Sequence, residues 1–173
     1  MLKDNVVVVT GGAGLIGQAF VKAIVESNGI AIISDVNRES GNDVKLKLSK
    51  ELNTKNIDFV YLDITSKESL QNCIKYLDET YSKIDALVNN AYPRNKNYGN
   101  HFFDVGYDDF VENTGLNLGG YFMASQQFSC YFKRQGYGNI INISSIYGVV
   151  APEFRIYDKT AQIKISSIRS LSV

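Results

Sequence analysis

The sequence is poor in the residues that build disulfide frameworks and soft-metal sites: its 173 residues contain two cysteines, Cys73 and Cys130, and one histidine, His101. The cysteines lie far apart in segments that read as helices. Neither a disulfide framework nor a metal site can be argued from them, and a reducing cytoplasm is the expected setting. Net charge is also lacking, since 18 Lys+Arg balance 18 Asp+Glu. Bulk attraction to nucleic acid or to an anionic membrane is thereby removed, and neither is an expected partner. No apolar run approaches membrane-spanning length, and the VVVV block at 6–9 is too short and too soon broken by glycines to act as a signal peptide. With no internal repeat and no low-complexity linker, length and composition leave room for one domain with a substantial core.

What is present is a glycine turn in a telling place. Residues 6–9 form a β-branched run that reads as a buried strand, TGGAGLIG follows from Thr10 to Gly17, and an amphipathic segment opens at Leu15. Gly12, Gly14 and Gly17 fall on the G-x-G-x-x-G spacing. That spacing lets a backbone turn tightly, approach a pyrophosphate, and pack the new helix on its strand. The phosphates would meet the free N–H groups and positive dipole end of that helix. Residues 30–34 read as a second buried strand followed at once by Asp35, the position at which a carboxylate accepts both ribose hydroxyls of an adenosine. Such an acid repels a 2′-phosphate and favours NAD over NADP, while Arg38 nearby weakens the preference. Asp35 as a simple turn or cap residue is the competing reading.

The chain goes on alternating. A lysine-bearing helix over 40–52 places Val44, Leu48 and Leu52 on one stripe. A third strand at 59–62 ends in Asp63-Ile64, where a short side chain can meet an adenine edge, although Asp63 can equally serve the start of the next helix through Thr65, Lys67 and Glu68. That helix, over 66–81, has Leu70, Ile74 and Leu77 as its core face with Cys73 packed beside them, and a fourth strand at 84–88 runs into Asn89-Asn90-Ala91. Repeated strand–helix alternation implies a Rossmann-type α/β fold with a doubly wound parallel sheet, right-handed crossovers and ligand chemistry at the carboxyl ends of the strands. The candidate residues all stand at those ends.

Taken together, TGGAGLIG, Asp35, Asp63-Ile64, Asn89-Asn90-Ala91, Asn117 within LNLGGYF, and Asn142-Ile143-Ser144-Ser145 at the end of a fifth strand resemble the short-chain dehydrogenase/reductase family up to about Ala151. The resemblance implies a dinucleotide site built from Thr10, Gly11, Gly14, Ile16, Gly17, Asp35, Asp63, Ile64, Asn90, Ala91 and Ile143. In the family's T-G-x-x-G-x-x-G spacing, Gly11, Gly14 and Gly17 are the functional triplet and Gly12 is secondary. It also implies that Ser145, with Ser144 as runner-up, binds a substrate oxygen, and that Asn117 fixes a water in the proton path. The helix over 119–135, carrying Phe122, Phe128, Tyr131 and Phe132, corresponds to one that commonly packs against its copy in a dimer, so a homo-oligomer is an expectation; the aromatic stripe reads as core. Leu15 stands where shorter reductases carry glycine, and Tyr92 replaces the glycine usual after the fourth strand. Tyr92 either narrows the nicotinamide pocket or points outward. The polar loop 93–101 is read as a recognition element for a polar substrate such as a sugar, or as solvated surface. NNAYPRNKNYG and NIINISSIYGVVAP further resemble family members assigned to flagellin modification or bacterial surface-sugar pathways.

The family's proton-transfer pair, Tyr-x-x-x-Lys, does not appear where it belongs. Asp158 and Gln162 occupy those positions, Tyr147 and Tyr157 are each followed four residues on by alanine, and the single literal match, Tyr92 to Lys96, stands in the loop after the fourth strand. The expectation is therefore a dinucleotide-binding domain over 1–151 and an atypical tail over 152–173, C-terminally truncated relative to the family. Its origin is either a frame lost near Thr160 or a naturally short form. An impaired oxidoreductase and a noncatalytic dinucleotide-binding or interaction module both fit, and an open sheet edge follows.

Overall fold

The computed structural model describes residues 1–100 and 102–150, so the expectations for His101 and for the tail lie outside the described residues. In chain order the elements are β1 Val6–Thr10, α1 Leu15–Glu26, β2 Ile30–Asp35, α2 Arg38–Glu51, β3 Ile57–Tyr61, α3 Lys67–Tyr81, β4 Ala86–Asn89, α4 Tyr107–Thr114, α5 Gly120–Gln135 and β5 Asn139–Asn142, with short 3-10 turns at Phe102–Asp104 and Ile146–Gly148 and a π-helical segment at Gly115–Gly119. The described residues divide into two compact units, one of Met1–Tyr92 with Gly120–Ile143 and one of Pro93–Gly119 with 144–150.

The first unit is a five-stranded sheet in the order β3-β2-β1-β4-β5, every neighbouring pair parallel. Period-two alternation divides the valine run between two cores: Val6 and Val8 pack with Leu70, Leu77, Leu87 and Phe128 on the α3/α5 face, while Val7 and Val9 pack with Val21, Ile24, Val44 and Leu48 on the α1/α2 face. A strand buried on both faces has to be apolar throughout, which is why β1 reads as an unbroken run. Each such side chain contributes about 1.5–3 kcal/mol on burial.

Helix starts follow local capping. The Asn37 side chain accepts from the Ser40 amide at 3.0 Å, so α2 begins at Arg38, ahead of the expected residue 40. Ser66 accepts from the Ser69 amide at 3.2 Å and starts α3, the work the sequence reading divided among Thr65, Lys67 and Glu68. Cys73 is 1% exposed among Leu70, Ile74 and Leu77, as expected. Phe128, Tyr131 and Phe132 are core residues, but Phe122 is 66% exposed and leaves the stripe. Among the described residues β5 pairs only with β4, and Ile141 within it is 45% exposed.

In the second unit α4 is followed directly by the π-helical segment that carries Asn117. π turns are wider than α turns and recur at functional sites in helices.

Candidate functional site

The glycine turn between β1 and α1 is held by its own backbone: the Gly14 amide donates to the Gly11 carbonyl at 3.0 Å, and the Gly12 amide reaches the Ser34 carbonyl of β2 at 3.2 Å. Gly17 has no room for a side chain, because a Cβ there would collide with the Gly11 carbonyl oxygen and lie 2.7 Å from Gly12 Cα. Gly11 sits at φ +62°, and a Cβ would approach Ala91 Cα at 2.8 Å. Gly14 differs, since a Cβ there would meet only the Gly11 carbonyl oxygen, at 3.3 Å. It is also the N-cap of α1, with no side-chain cap bond and no acidic residue in the first turn. The helix N-terminus thus presents free amides beside an open flank, a geometry suited to anionic oxygens. Ile16, exposed on the first turn, lies at the same end, next to the 91%-exposed Leu15.

Strand ends bring further residues to this turn. Asp35 accepts from the Ala13 amide at 3.3 Å through Oδ2 and from the Asn37 amide at 3.0 Å through Oδ1. The carboxylate therefore orders the glycine turn as well as the loop before α2, so the turn-residue reading of Asp35 holds in part. Thr10, 1% exposed, accepts on Oγ1 from the amides of Asn90 at 2.9 Å and Ala91 at 3.0 Å. The Asn90 Nδ2 in turn donates to the carbonyls of Thr10 at 2.9 Å and Gly11 at 3.2 Å. Thr10, Asn90 and Ala91 thus lock the β4 end against the β1 turn, a positioning function that motif spacing alone does not reveal.

At the β3 end, Asp63 Oδ1 accepts from the Thr65 amide at 2.8 Å and from the Thr65 hydroxyl at 2.7 Å, and the Asp63 amide donates to Ser69 Oγ at 2.9 Å. Ile64 is buried, its side chain in the core against Gly120. Ile143 closes the β5 end, with its amide on the Asn89 carbonyl at 3.0 Å. Asn89 itself was overlooked as a site residue. It is fully buried, its Nδ2 donates to Ser125 Oγ at 3.0 Å and Asn142 Oδ1 at 2.9 Å, and its Oδ1 has no partner among the described residues.

In the second unit the Asn117 amide is fixed in one orientation, because both of its Nδ2 bonds go to carbonyls, Asn113 at 2.9 Å and Pro93 at 3.0 Å. A carbonyl cannot donate, so the nitrogen must face it. Asn117 Oδ1 is buried and unpartnered among the described residues. The loop after Pro93 is anchored on α4: Asn95 Nδ2 donates to Asp109 and Glu112, each at 2.8 Å, and Asn97 Nδ2 donates to Asp109 at 2.8 Å. Its carriers Asn95, Asn97 and Asn113 looked like ordinary loop and helix polar residues in the sequence. Ser145 is exposed, and its Oγ accepts from the Tyr147 amide at 3.2 Å, which leaves its proton able to donate. Ser144 is likewise exposed. Tyr92 is 39% exposed. Among the described residues there is no cluster of His, Cys, Asp or Glu suited to a metal ion and no helix long and apolar enough to cross a membrane.

A parallel sheet with a glycine turn after β1, an acid closing β2 and an amide-rich segment after β4 defines a Rossmann-type α/β protein whose polar residues gather at the strands' carboxyl ends. Residues 5–159 match the short chain dehydrogenase family, and the chain belongs to it. The chain is similar to the Post-translational flagellin modification protein A of Campylobacter coli, 44% identical over 161 residues that make up 92% of this chain and 62% of that protein. It also resembles the 7alpha-hydroxysteroid dehydrogenase of Bacteroides fragilis, at 31% identity over 86% of this chain and 57% of that protein. Among solved structures, an NAD+-bound xylitol dehydrogenase superposes with a TM-score of 0.75 at 25% identity, over 98% of this chain and 62% of that one. The chain spans about three-fifths of the length of these relatives.

Proposed function

We propose that the chain forms the dinucleotide-binding part of an NAD(P)-dependent oxidoreductase that moves hydride between a nicotinamide and a hydroxyl or carbonyl group, with NAD preferred. The observation that carries this reading is the cradle at Gly11–Gly17. Gly17 and Gly11 are required for the backbone path, and Gly14, where an added Cβ would meet only the Gly11 carbonyl oxygen at 3.3 Å, stands before the uncapped amides of α1. A pyrophosphate needs that combination, and the Asp35 carboxylate stands beside it, 3.3 Å from the Ala13 amide.

In this reading Thr10, Asn90 and Ala91 hold the cradle's shape, Asp35 accepts ribose hydroxyls, and the Asp63–Ile64 and Ile143 strand ends line the remainder. Bound nicotinamide would supply the hydride acceptor or donor. Ser145 donates its hydroxyl proton to the substrate oxygen, and Asn117, its Nδ2 already committed, offers buried Oδ1 as an acceptor for a water. Similarity to a flagellin modification protein, together with the polar loop after Tyr92, supports a sugar derivative as substrate. The exposed Phe122 on α5 supports association of two copies through that helix.

Asp158 and Gln162, standing at the family's tyrosine and lysine positions, favour a second reading in which this chain binds dinucleotide without turning over, since neither supplies the tyrosine–lysine proton relay. Titrating NADH fluorescence and then assaying hydride transfer over sugar and alcohol substrates separates the readings. Binding with turnover supports the oxidoreductase, binding alone supports the module, and absence of binding refutes both.

A further inference from the structure

Asp35 and Arg38 make opposing demands on a 2′-phosphate, and the fold resolves the conflict through a third residue. Asp35 and Tyr61 are register partners at the ends of β2 and β3, and the Arg38 guanidinium lies over the Tyr61 ring, 4.1 Å from its centroid. Arg38 and Tyr61 also share the wall of a cavity of about 660 Å³ at the β3 edge of the sheet, between α2 and α3, together with Asn42, Asp63, Ser66 and Tyr76; Asp35 does not line it. Among the described residues no Lys or Arg lies within ion-pair distance of Asp35, although Arg38 is only three residues away in sequence.

From this juxtaposition we infer that Tyr61 is a specificity-determining residue that parks the Arg38 guanidinium on its ring, leaves the Asp35 charge uncompensated, and so makes the site select NAD against NADP. The physical basis is competition. A guanidinium is drawn to an aromatic face, to a carboxylate and to a phosphate dianion. Held on the ring, it neither neutralises Asp35 nor meets a 2′-phosphate, and the net field at the adenosine ribose stays negative. An arginine so close in sequence to the acid would otherwise blur the choice. The inference rests on the proposed dinucleotide site and adds the residue that sets its selectivity.

The test is fluorescence titration of the full chain with NADH and with NADPH. The parent should favour NADH. Tyr61→Leu, which keeps apolar bulk on β3 but removes the aromatic face, should raise the NADPH:NADH affinity ratio roughly two- to fivefold, the factor that a surface cation–π contact represents. Arg38→Ala alone should change the ratio less than about twofold on the same scale, and Tyr61→Leu/Arg38→Ala should restore the parent ratio, which a general loosening of β3 would not do. An unchanged ratio in Tyr61→Leu, or a raised ratio that survives in the double variant, overturns the inference while NADH binding by the parent keeps the dinucleotide site. Binding of neither nucleotide by the parent overturns both.

Discussion

Replacing Thr10 by valine keeps the side chain's shape and removes one oxygen, and its consequence can be worked from the geometry. Thr10 Oγ1 accepts from Asn90 N at 2.9 Å and Ala91 N at 3.0 Å and donates to the Val88 carbonyl at 3.3 Å, all beside a residue 1% exposed. The last bond is long, and the carbonyl's loss is minor. The two amides are the main cost, since each buried donor left unmet costs about 1–3 kcal/mol. Asn90 and Ala91 are half-buried, which places each toward the lower end and the sum at about 2–4 kcal/mol. With a urea dependence of about 2 kcal/mol per molar, the unfolding midpoint should fall by about 1–2 M. Thr10→Ser keeps the oxygen and should cost only about 1 kcal/mol for the lost methyl. Urea titration gives the energies, and hydrogen exchange should show the Asn90 and Ala91 amides losing protection beyond the global change. If Thr10→Val lies within about 0.5 kcal/mol of the parent, or if serine and valine cost the same, Thr10 is not the clasp between β1 and β4.

Gly17→Ala should destabilise by about 3 kcal/mol or more, because its Cβ meets backbone that cannot yield. Gly14→Ala, at φ −75°, should stay within about 1 kcal/mol of the parent yet weaken NADH binding at least roughly tenfold; equal destabilisation of the two variants would contradict the division of roles. Asp58 on the edge strand β3 is raised in pKa by burial, but hydrogen bonds from Lys45 and the Phe59 amide, the Lys45 charge and Tyr81 outweigh this and hold the carboxyl below its ordinary value. Its stabilisation is therefore present above its unfolded value of about 4 and is lost as pH falls through the lower folded value. Asp58→Asn should cost about 1–2 kcal/mol at pH 7, with the gap to the parent closing in acid; a pH-independent gap refutes it. Burial pushes the Cys73 thiol up to about 12, whereas Cys130 is exposed, so a thiol reagent should label Cys130 alone in the native chain and both after unfolding. Mass spectrometry of the labelled peptides decides this.

The sheet was legible because a parallel sheet buried on both faces imposes apolar runs at 6–9 and 30–34, and because strand ends are where short polar residues cluster. The sequence also carried the α1, α2 and α3 stripes. Boundaries moved where capping decided them, as at Asn37 and Ser66. Phe122 was misassigned to the core because aromaticity was taken as burial, although only part of the α5 circumference faces the sheet. The π-helical segment around Asn117 and the Asn95–Asn113 pairing left no local signal. They depend on side-chain bonds across the loop and α4, such as Asn113 Nδ2 to Asn95 Oδ1 at 2.9 Å. In the candidate site, Thr10, Asn90 and Asp35 were visible as polar residues at strand ends, but spacing does not say which of them touch a ligand and which hold the turn. Their hydrogen bonds assign part of each to the turn.

Residue-resolved NMR of the chain titrated with NAD+ examines the dinucleotide cradle most directly. The amides of Gly11 to Gly17, with those of Asp35 and Ala91, should shift together and saturably, and in Gly14→Ala the same shifts should need at least roughly tenfold more NAD+. Saturable shifts confined to other parts of the chain, or none at concentrations that saturate a related dehydrogenase, would contradict the assignment of TGGAGLIG as the pyrophosphate site.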